Sequence, residues 1–222
     1  MLIKKILGKF RKIILQNVRE KVLAEKYFDI INNLNLKKKI RILDFGSGYE
    51  PLIILNLFSI LKKKGFKPDI VCCDFYNSKQ LKKLNNNLSK IKFENLEKIK
   101  TNNNFDIIII SDVLHHVGVD NNEINSIFKT LIKKTKFILL KDQFETGFFS
   151  RCILRFMDFI GNYYNNVKIP KKYFKKEDLN KKLKKLKINT FKKIERVKIY
   201  PNYFLFFSNP KLQFIYILNK YK

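Results

Sequence analysis

The sequence predicts an α/β protein with a doubly wound, mostly parallel seven-stranded sheet, and three observations lead to this fold class. Strand-like apolar runs alternate with helical runs, as in a parallel sheet with helices on both faces. One run, Ile107–Ile110, has four β-branched residues in succession, as expected for a central strand covered on both faces. A glycine-containing stretch, 44–48, follows the first apolar run, where doubly wound sheets bind ligands.

The N-terminal segment 2–34 is predicted to form a basic amphipathic helix, because apolar residues recur at helical spacing with lysine and arginine between them. Such a helix packs on its own domain, covers a site as a lid, or lies on a membrane surface. The segment lacks a signal-peptide cleavage site, and no run is long and apolar enough to span a membrane. We therefore expect a cytoplasmic protein with a helical extension over 1–36, and peripheral membrane contact stays open.

The segment 40–142 is expected to form the core of the sheet. In chain order its predicted elements are a strand at 40–45, a helix at 52–64, strands at 69–74 and 91–93 separated by a helix at 79–88, a strand at 105–111, a helix at 122–133 and a strand at 136–141. Pro51 suits the first turn of the first helix, and Gly65 can cap its end. The crossovers between strands should be right-handed.

After Asp142 the regular alternation is lost. We expect helices at 148–160 and 176–187, within a substrate cap over 143–190. Strands at 191–200 and 213–218 should then form an antiparallel edge within 191–222. No linker divides the chain, so the 222 residues are predicted to form a single domain.

The composition is strongly basic, with 47 lysine and arginine residues against 19 acidic ones and a formal charge of +28. This balance is typical of proteins that bind nucleic acid or membranes. The excess is mostly lysine and occurs with abundant asparagine, isoleucine and phenylalanine, as in proteins from AT-rich genomes. It therefore needs no anionic ligand to explain it. Cys72, Cys73 and Cys152 form no C-x-x-C pair, which favours reduced thiols over a metal cluster.

Polar or flexible residues follow each of the five core strands, at the edge where a doubly wound sheet binds its ligand. They are Asp44, Gly46, Ser47 and Gly48 after the first strand, Asp74 after the second, Asn95 and Leu96 after the third, Asp112 and Val113 after the fourth, and Lys141 and Asp142 after the fifth. An acid at the end of the second strand can bind both hydroxyls of a ribose. The G-x-G-x-x-G dinucleotide fingerprint fails because position 51 is proline, and no P-loop is present.

The run Asp44-Phe45-Gly46-Ser47-Gly48-Tyr49-Glu50 resembles the first motif, (D/E)-x-G-x-G-x-G, of the class I S-adenosylmethionine-dependent methyltransferases, with Glu50 in place of the third glycine. Phe105-Asp106, the strand that follows and Asp112-Val113-Leu114-His115-His116 resemble the fourth motif of that family. The resemblance covers about residues 40–142. It implies a Rossmann-like methyltransferase fold and S-adenosylmethionine as the cofactor.

The resemblance also implies roles for individual residues around the cofactor. Gly46, Ser47 and Gly48 would line its methionine part, Asp44 would reach its amino group, Asp74 would hold its ribose, and Phe75, Asn95 and Leu96 would lie beside its adenine, with Asp112 and Val113 of the fourth motif completing the site. Further along, Asp158, Asn162 and Tyr173 resemble a segment of a group of uncharacterised bacterial methyltransferases. We expect these three residues to position a polar substrate.

His115 and His116 are the two histidines of the chain, and they follow the fourth strand, where they would face the site. Either could serve as a general base, because the pKa of an unperturbed histidine is near neutrality. Asp142 is a candidate to assist them. The alternatives are that one histidine packs under the cofactor and the other caps the next helix. The spacing matches no metal motif, so no metal is expected.

Three hypotheses remain from the sequence. The first is a methyltransferase that acts on a small-molecule, saccharide or lipid-linked acceptor. The second is an RNA methyltransferase that binds its substrate through the basic surface. Lysines clustered on one face of the protein would support this hypothesis. The third is a non-catalytic cofactor-binding subunit, which the altered Glu50 favours. Exocyclic base amines are disfavoured as acceptors because the (N/D)-P-P-(Y/F) motif is missing after the fourth strand.

Overall fold

The structure is a computed structural model that describes residues 17–48, 50–74, 78–87, 91–95, 104–119, 122–162, 168–200 and 209–220. Its strands are β1 (Lys39–Phe45), β2 (Lys67–Asp74), β3 (Lys92–Asn95), β4 (Phe105–Ser111), β5 (Thr135–Gln143), β6 (Ile188–Glu195) and β7 (Gln213–Lys220). Its helices are α1 (Asn17–Asn33), α2 (Leu52–Lys63), α3 (Ser78–Asn87), α4 (Leu114–Val117), α5 (Asn122–Leu131), α6 (Phe148–Asn162) and α7 (Lys176–Lys185). A short 3-10 helix, Pro210–Leu212, precedes β7.

The described strands form one seven-stranded sheet in the order β3-β2-β1-β4-β5-β7-β6. The first five run parallel, while β7 runs antiparallel to both β5 and β6. The doubly wound, mostly parallel fold and its antiparallel edge are therefore confirmed. The order reverses between β1 and β4, so their carboxyl ends form the crevice where such folds bind ligands.

The sheet is covered on both faces, as the isoleucine run predicted. Ile107 and Ile109 belong to one core cluster with residues of α1 and α2, whereas Ile108 and Ile110 belong to a second cluster with residues of α5 and α7. All four side chains are fully buried. Successive residues of a strand point to opposite faces, so a continuous apolar run supplies both cores.

The described part of the N-terminal helix, α1, packs on its own domain. Leu23, Ala24, Tyr27 and Ile31 are buried in the cluster that also holds α2. Residues 2–16 of the predicted helix lie outside the described residues. Within the described part of the chain, no helix is long and apolar enough to cross a membrane.

Several predicted boundaries were wrong at the C-terminal edge. β6 begins at Ile188 and ends at Glu195, not at 191 and 200, because the backbone turns at Lys187 and Arg196, both of which have positive φ angles. β5 runs to Gln143 because it pairs with Gln213 of β7. The proposed edge segment thus starts three residues earlier, inside the range given to the cap.

Candidate active site

The glycine loop after β1 is fixed against the end of β2 by backbone hydrogen bonds. The N–H groups of Gly46 and Ser47 both donate to the carbonyl of Cys73, at 2.8 and 3.2 Å. The N–H of Gly48 donates to Oδ2 of Asp74 at 2.9 Å. Asp74, the predicted ribose ligand, therefore also holds the loop in place.

Gly46 and Gly48 both adopt the left-handed conformation that favours glycine, with φ angles of 78° and 64°. A Cβ atom on Gly46 would lie 2.4 Å from Cγ2 of Val113, so the loop touches the residue that precedes α4. A Cβ atom on Gly48 would meet nothing within 4 Å. The loop is thus packed on one side and open on the other.

Asp44 lies buried at the end of β1, beside this loop. Its burial and the neighbouring charge of Asp74 raise the pKa of the Asp44 carboxyl to about 7. A carboxylate in this position gains most from a cationic partner, which would lower the pKa again. The amino group of S-adenosylmethionine is such a partner.

Asp112 directly follows β4 and has a positive φ angle of 53°. Its Oδ2 accepts a hydrogen bond from Arg19 of α1, and its Oδ1 accepts one from Nζ of Lys141 at 2.5 Å. Burial alone would raise the pKa of Asp112, but Lys141 and Arg19 hold it well below its usual range. Both carboxylate oxygens are therefore engaged by cations of the protein, and the predicted contact of Asp112 with the cofactor stays a prediction.

The contribution of α1 to the charged group of Asp112 and Lys141 was not predicted from the sequence. Arg19 crosses to Asp112, and the hydroxyls of Tyr27 and Ser111 lie 2.5 Å apart. Both contacts join α1 to the carboxyl end of β4, across more than 80 positions of sequence. No local sequence pattern marks such long-range pairs. The one signal nearby was Lys141, which is fully buried and directly precedes the predicted site residue Asp142.

Next to this cluster lies a connected set of four buried polar side chains, which we call the histidine cluster: His115, Asp142, Asp158 and Tyr173. Nδ1–H of His115 donates to Oδ1 of Asp142 at 2.5 Å. The hydroxyl of Tyr173 donates to Oδ2 of Asp158 at 2.5 Å. The same Oδ2 lies 3.5 Å from Nε2 of His115, an atom that has no hydrogen-bond partner in the described structure. The sequence-predicted residues of α4, β5, α6 and the 168–175 segment are thus brought together.

The segment that carries Tyr173 is held by Glu145. The N–H of Tyr173 donates to Oε2 of Glu145 at 3.0 Å, and Arg151 binds both oxygens of the same carboxylate at 2.9 and 2.7 Å. Leu154 of α6 packs against Tyr173 in a small apolar cluster. Glu145 and Arg151, which sequence analysis did not single out, therefore fix the predicted cap residue Tyr173 against α6.

The two histidines have different environments. Burial alone would lower the pKa of His115, but the charge and hydrogen bond of Asp142 outweigh it, with help from Asp158 and Asp112, and raise the pKa to about 8. The pKa of His116 is lowered by its burial and by the neighbouring His115. Nδ1–H of His116 donates to the carbonyl of Lys168 at 3.1 Å. His116 thus holds the cap segment, whereas His115 belongs to the charged cluster.

Four predicted site residues are described incompletely. Phe75 and Leu96 lie outside the described residues. Asn95 ends β3 and Asn162 ends α6, and only their backbones are described. Their predicted roles beside the adenine and the substrate stay predictions.

Two triplets of described side chains have ligand atoms close enough to hold a metal ion: His115 with His116 and Asp158, and His115 with Asp112 and Asp142. In each triplet the carboxylates already accept hydrogen bonds, from Tyr173 to Asp158, from Lys141 to Asp112 and from His115 to Asp142. These contacts account for the cluster without an ion. The prediction that no metal binds here stays a prediction.

The residues of the glycine loop fit S-adenosylmethionine as this chain presents them. The side of Gly48 that a Cβ would occupy is open, the buried Asp44 carboxyl is suited to an ammonium group, and Asp74 ends β2 where a ribose is bound in such folds. The His115 segment adjoins this loop through the contact between Val113 and Gly46. The open loop and the histidine cluster therefore lie side by side at the switch point of the sheet.

Comparisons with known proteins identify the family and the fold. The family model of a methyltransferase domain matches residues 18–185. An S-adenosylmethionine-dependent methyltransferase from Clostridium acetobutylicum is similar in structure, with a TM-score of 0.63 at 15% identity over 100% of both chains.

Two further solved structures are similar to this chain. Plantazolicin methyltransferase, solved with a substrate analogue and S-adenosylhomocysteine, has a TM-score of 0.63 at 13% identity, over 99% of this chain and 90% of that one. Magnesium protoporphyrin IX methyltransferase from Synechocystis, solved with S-adenosylhomocysteine, has a TM-score of 0.58 at 14% identity, over 91% and 84%. A comparison with curated protein sequences found no match.

Proposed function

Because the chain belongs to the methyltransferase-domain family, we propose that it transfers the methyl group of S-adenosylmethionine to an O–H or N–H group of a small-molecule, saccharide or lipid-linked acceptor. The observation that carries this proposal is the histidine cluster directly beside the glycine loop, joined to it by the contact of Val113 with Gly46. We assign His115 as the general base for the acceptor proton.

When bound, S-adenosylmethionine supplies an electrophilic methyl group on a sulfonium sulfur. The protein then has to hold the acceptor in line with the S–CH3 bond and to exclude water. Asp74 and the loop of Gly46 to Gly48 would fix the cofactor end. Asp158 and Tyr173 would position the acceptor next to Nε2 of His115. Their side chains are hydrogen-bonded to each other, and Oδ2 of Asp158 lies 3.5 Å from that nitrogen.

Proton removal is assigned to the neutral form of His115. Asp142 orients the ring by accepting its Nδ1–H, which leaves Nε2 as the atom that takes the proton. The charged ring is then stabilised by Asp142 on one side and Asp158 on the other. His115 is buried, so the proton moves without competition from bulk water.

The RNA hypothesis receives less support from the surface. Among the described residues, exposed lysines are spread over many elements: they occur at the start of β1 and β2 and the end of α2, at the sheet edge opposite the glycine loop, along α7 and β6, and at 168–172 beside the histidine cluster. An even coat of this kind favours solubility over a binding track. The hypothesis of a non-catalytic subunit is disfavoured by the buried charged cluster, which is costly to keep without a function.

The test is calorimetric titration of the purified chain with S-adenosylmethionine and with S-adenosylhomocysteine. We expect micromolar binding of both, weakened about tenfold or more in Asp74→Ala, because that variant loses both the ribose ligand and the anchor of Gly48. Asp69→Ala is the matched control, since Asp69 lies on the same strand and pairs with Arg41 far from the loop. Absence of binding by both ligands would refute the proposal.

The pH dependence of this binding provides a second prediction. Without cofactor, the Asp44 carboxyl has a pKa of about 7. The ammonium group of the cofactor would bind the ionised form of this carboxyl. Affinity should therefore fall as the pH drops below 7, approaching tenfold per unit, and should fall again at a pH high enough to deprotonate the cofactor's amino group. In Asp44→Asn the affinity should be weaker and lose this dependence. An unchanged pH profile in that variant would remove Asp44 from the cofactor site.

A further inference from the structure

Helix α6 presents two opposite faces with different roles. Ser150, Leu154 and Asp158, spaced four residues apart, are buried against the domain. The other face carries Phe148, Phe149, Phe156 and Phe159, together with Cys152 and Arg155, and all six are exposed. These six positions share an arc of about 120° around the helix axis. The helix therefore holds the site with one face and shows an aromatic face to the outside.

The four phenylalanines of this aromatic face are unusually exposed for large apolar side chains. The exposed fractions are 71% for Phe148, 82% for Phe149, 49% for Phe156 and 44% for Phe159. Single exposed apolar residues are common on protein surfaces, but four large exposed aromatic rings on one helix face make an aromatic patch. Such patches mark sites that bind a protein, a ligand or a membrane.

The charges around the patch are basic. The single acidic residue of α6, Asp158, is turned inward, and Arg155 lies within the aromatic face. Lys171 and Lys172 are exposed and directly precede Tyr173, whose N–H is bound by Glu145 next to Arg151 at the start of α6. Exposed aromatic side chains flanked by basic ones are a combination that favours binding to an anionic membrane interface.

From this combination, we propose that the aromatic face of α6 docks the protein on an anionic lipid bilayer. A second copy of the chain is disfavoured as occupant, because a symmetric contact would gather Arg155 and the neighbouring lysines of both copies in one interface. RNA is disfavoured because the lysine coat is spread evenly, whereas the aromatic patch is local.

Docking through this face also indicates the acceptor class. Asp158 lies on the inner face of the same helix, in hydrogen-bonding contact with Tyr173 and 3.5 Å from His115. The site is thus directly behind the surface that would meet the lipid headgroups. This second step, which rests on the proposed function, narrows the acceptor to a lipid-linked molecule presented at the bilayer.

The experiment is flotation of the purified chain with phosphatidylcholine vesicles, with and without phosphatidylglycerol. We expect binding to the mixed vesicles, and a loss of about tenfold or more in Phe148→Glu/Phe149→Glu, since the charges are costly to insert. Phe191→Glu is the matched control, because Phe191 on β6 is 56% exposed but lies outside the patch, and it should bind like the wild type. Circular dichroism and calorimetry with S-adenosylmethionine show whether each variant is folded.

Several outcomes would overturn the proposal. Absence of vesicle binding would do so, as would equal binding by the double variant, which would point instead to the basic segment 2–16. A fall in molecular mass from dimer to monomer in the double variant would assign the face to a second copy. Loss of binding to an oligouridine probe with vesicle binding intact would assign it to RNA. Each result is independent of cofactor binding, so the proposed function stands or falls separately.

Discussion

In His115→Asn we expect methyl transfer to fall by about 10² to 10⁴-fold, while the affinity for S-adenosylmethionine stays within a few-fold of the wild type. Asparagine retains a donor near the position of Nδ1 and can still bind Asp142, but it lacks the Nε2 atom that takes the proton. The readout is transfer of radiolabelled methyl from S-adenosylmethionine to a cell-envelope extract. The loss should appear in turnover and not in cofactor binding.

His116→Asn is the matched control for this variant. His116 follows His115 directly, but it holds the carbonyl of Lys168 and does not contact Asp142 or Asp158 through any described hydrogen bond. Its replacement should reduce turnover less than tenfold. If His115→Asn kept full activity, or if the two variants were equally impaired, His115 would not be the base. If added Zn²⁺ raised the wild-type activity and a chelator abolished it, the cluster would be a metal site instead.

The pH profile gives the same assignment a second readout. The base must be neutral, and the pKa of His115 is about 8, so the rate should rise with pH through 8 and then level off. Because the chain has two histidines, their side-chain signals can be followed by NMR and assigned with His116→Asn. His115 should titrate near 8 and His116 below 6.5. Asp142→Asn should lower the pKa of His115, because burial would then act without its main opposing charge.

The raised pKa of His115 also affects folding stability. A histidine whose pKa is higher in the folded state stabilises the fold fully below its unfolded pKa of about 6.5, and this contribution is lost as the pH rises through 8. The loss corresponds to about 2 kcal/mol at most. It should be seen as a fall in the free energy of unfolding between pH 6.5 and 8 that is smaller in His115→Asn. An equal fall in both proteins would assign it to other groups, such as Asp44.

The sequence was sufficient for the core of the fold because the local pattern there reflects the tertiary environment. Ile107–Ile110 could be assigned to a central strand since only a strand covered on both faces needs an unbroken apolar run. The ends of β1, β2 and β4 matched the prediction, whereas β3 and β5 each run two residues further. The histidine cluster joins side chains from four separate segments of the chain. The sequence marked each of them as a site candidate, from its place near a strand end or in a family-like motif, but it did not indicate that they contact one another.

What the sequence could not predict depends on pairing across the fold. Arg19 is one of many basic residues in an amphipathic helix, and nothing near it indicates that it binds Asp112, 93 positions away. The end of β6 is set by the turn at Arg196 and by its pairing with β7, not by its own residues. The exposure of the aromatic face of α6 could not be predicted either. Its phenylalanines fit a helical pattern whether their side of the helix is buried or exposed.

In Gly46→Ala we expect both stability and cofactor binding to be lost in part, for two separable reasons. The left-handed φ angle of 78° costs an alanine about 1 kcal/mol or more. The new Cβ would also lie 2.4 and 2.8 Å from the two methyl carbons of Val113, and moving this side chain costs about 1–3 kcal/mol. These costs lower the free energy of unfolding, and the cofactor affinity should fall tenfold for about every 1.4 kcal/mol that the cofactor-bound loop costs beyond the free loop.

Two other glycines separate these causes. Gly65, at the end of α2, has a φ angle of 77° and open space at its Cβ, so Gly65→Ala should show the backbone cost alone and bind cofactor normally. Gly48→Ala should lose little more stability than Gly65→Ala, but it should bind cofactor poorly if the methionine part occupies the open space there. Thermal unfolding and calorimetry measure both quantities. Normal cofactor affinity in Gly46→Ala and Gly48→Ala alike would move the cofactor away from this loop, since neither the packed nor the open side would then contact it.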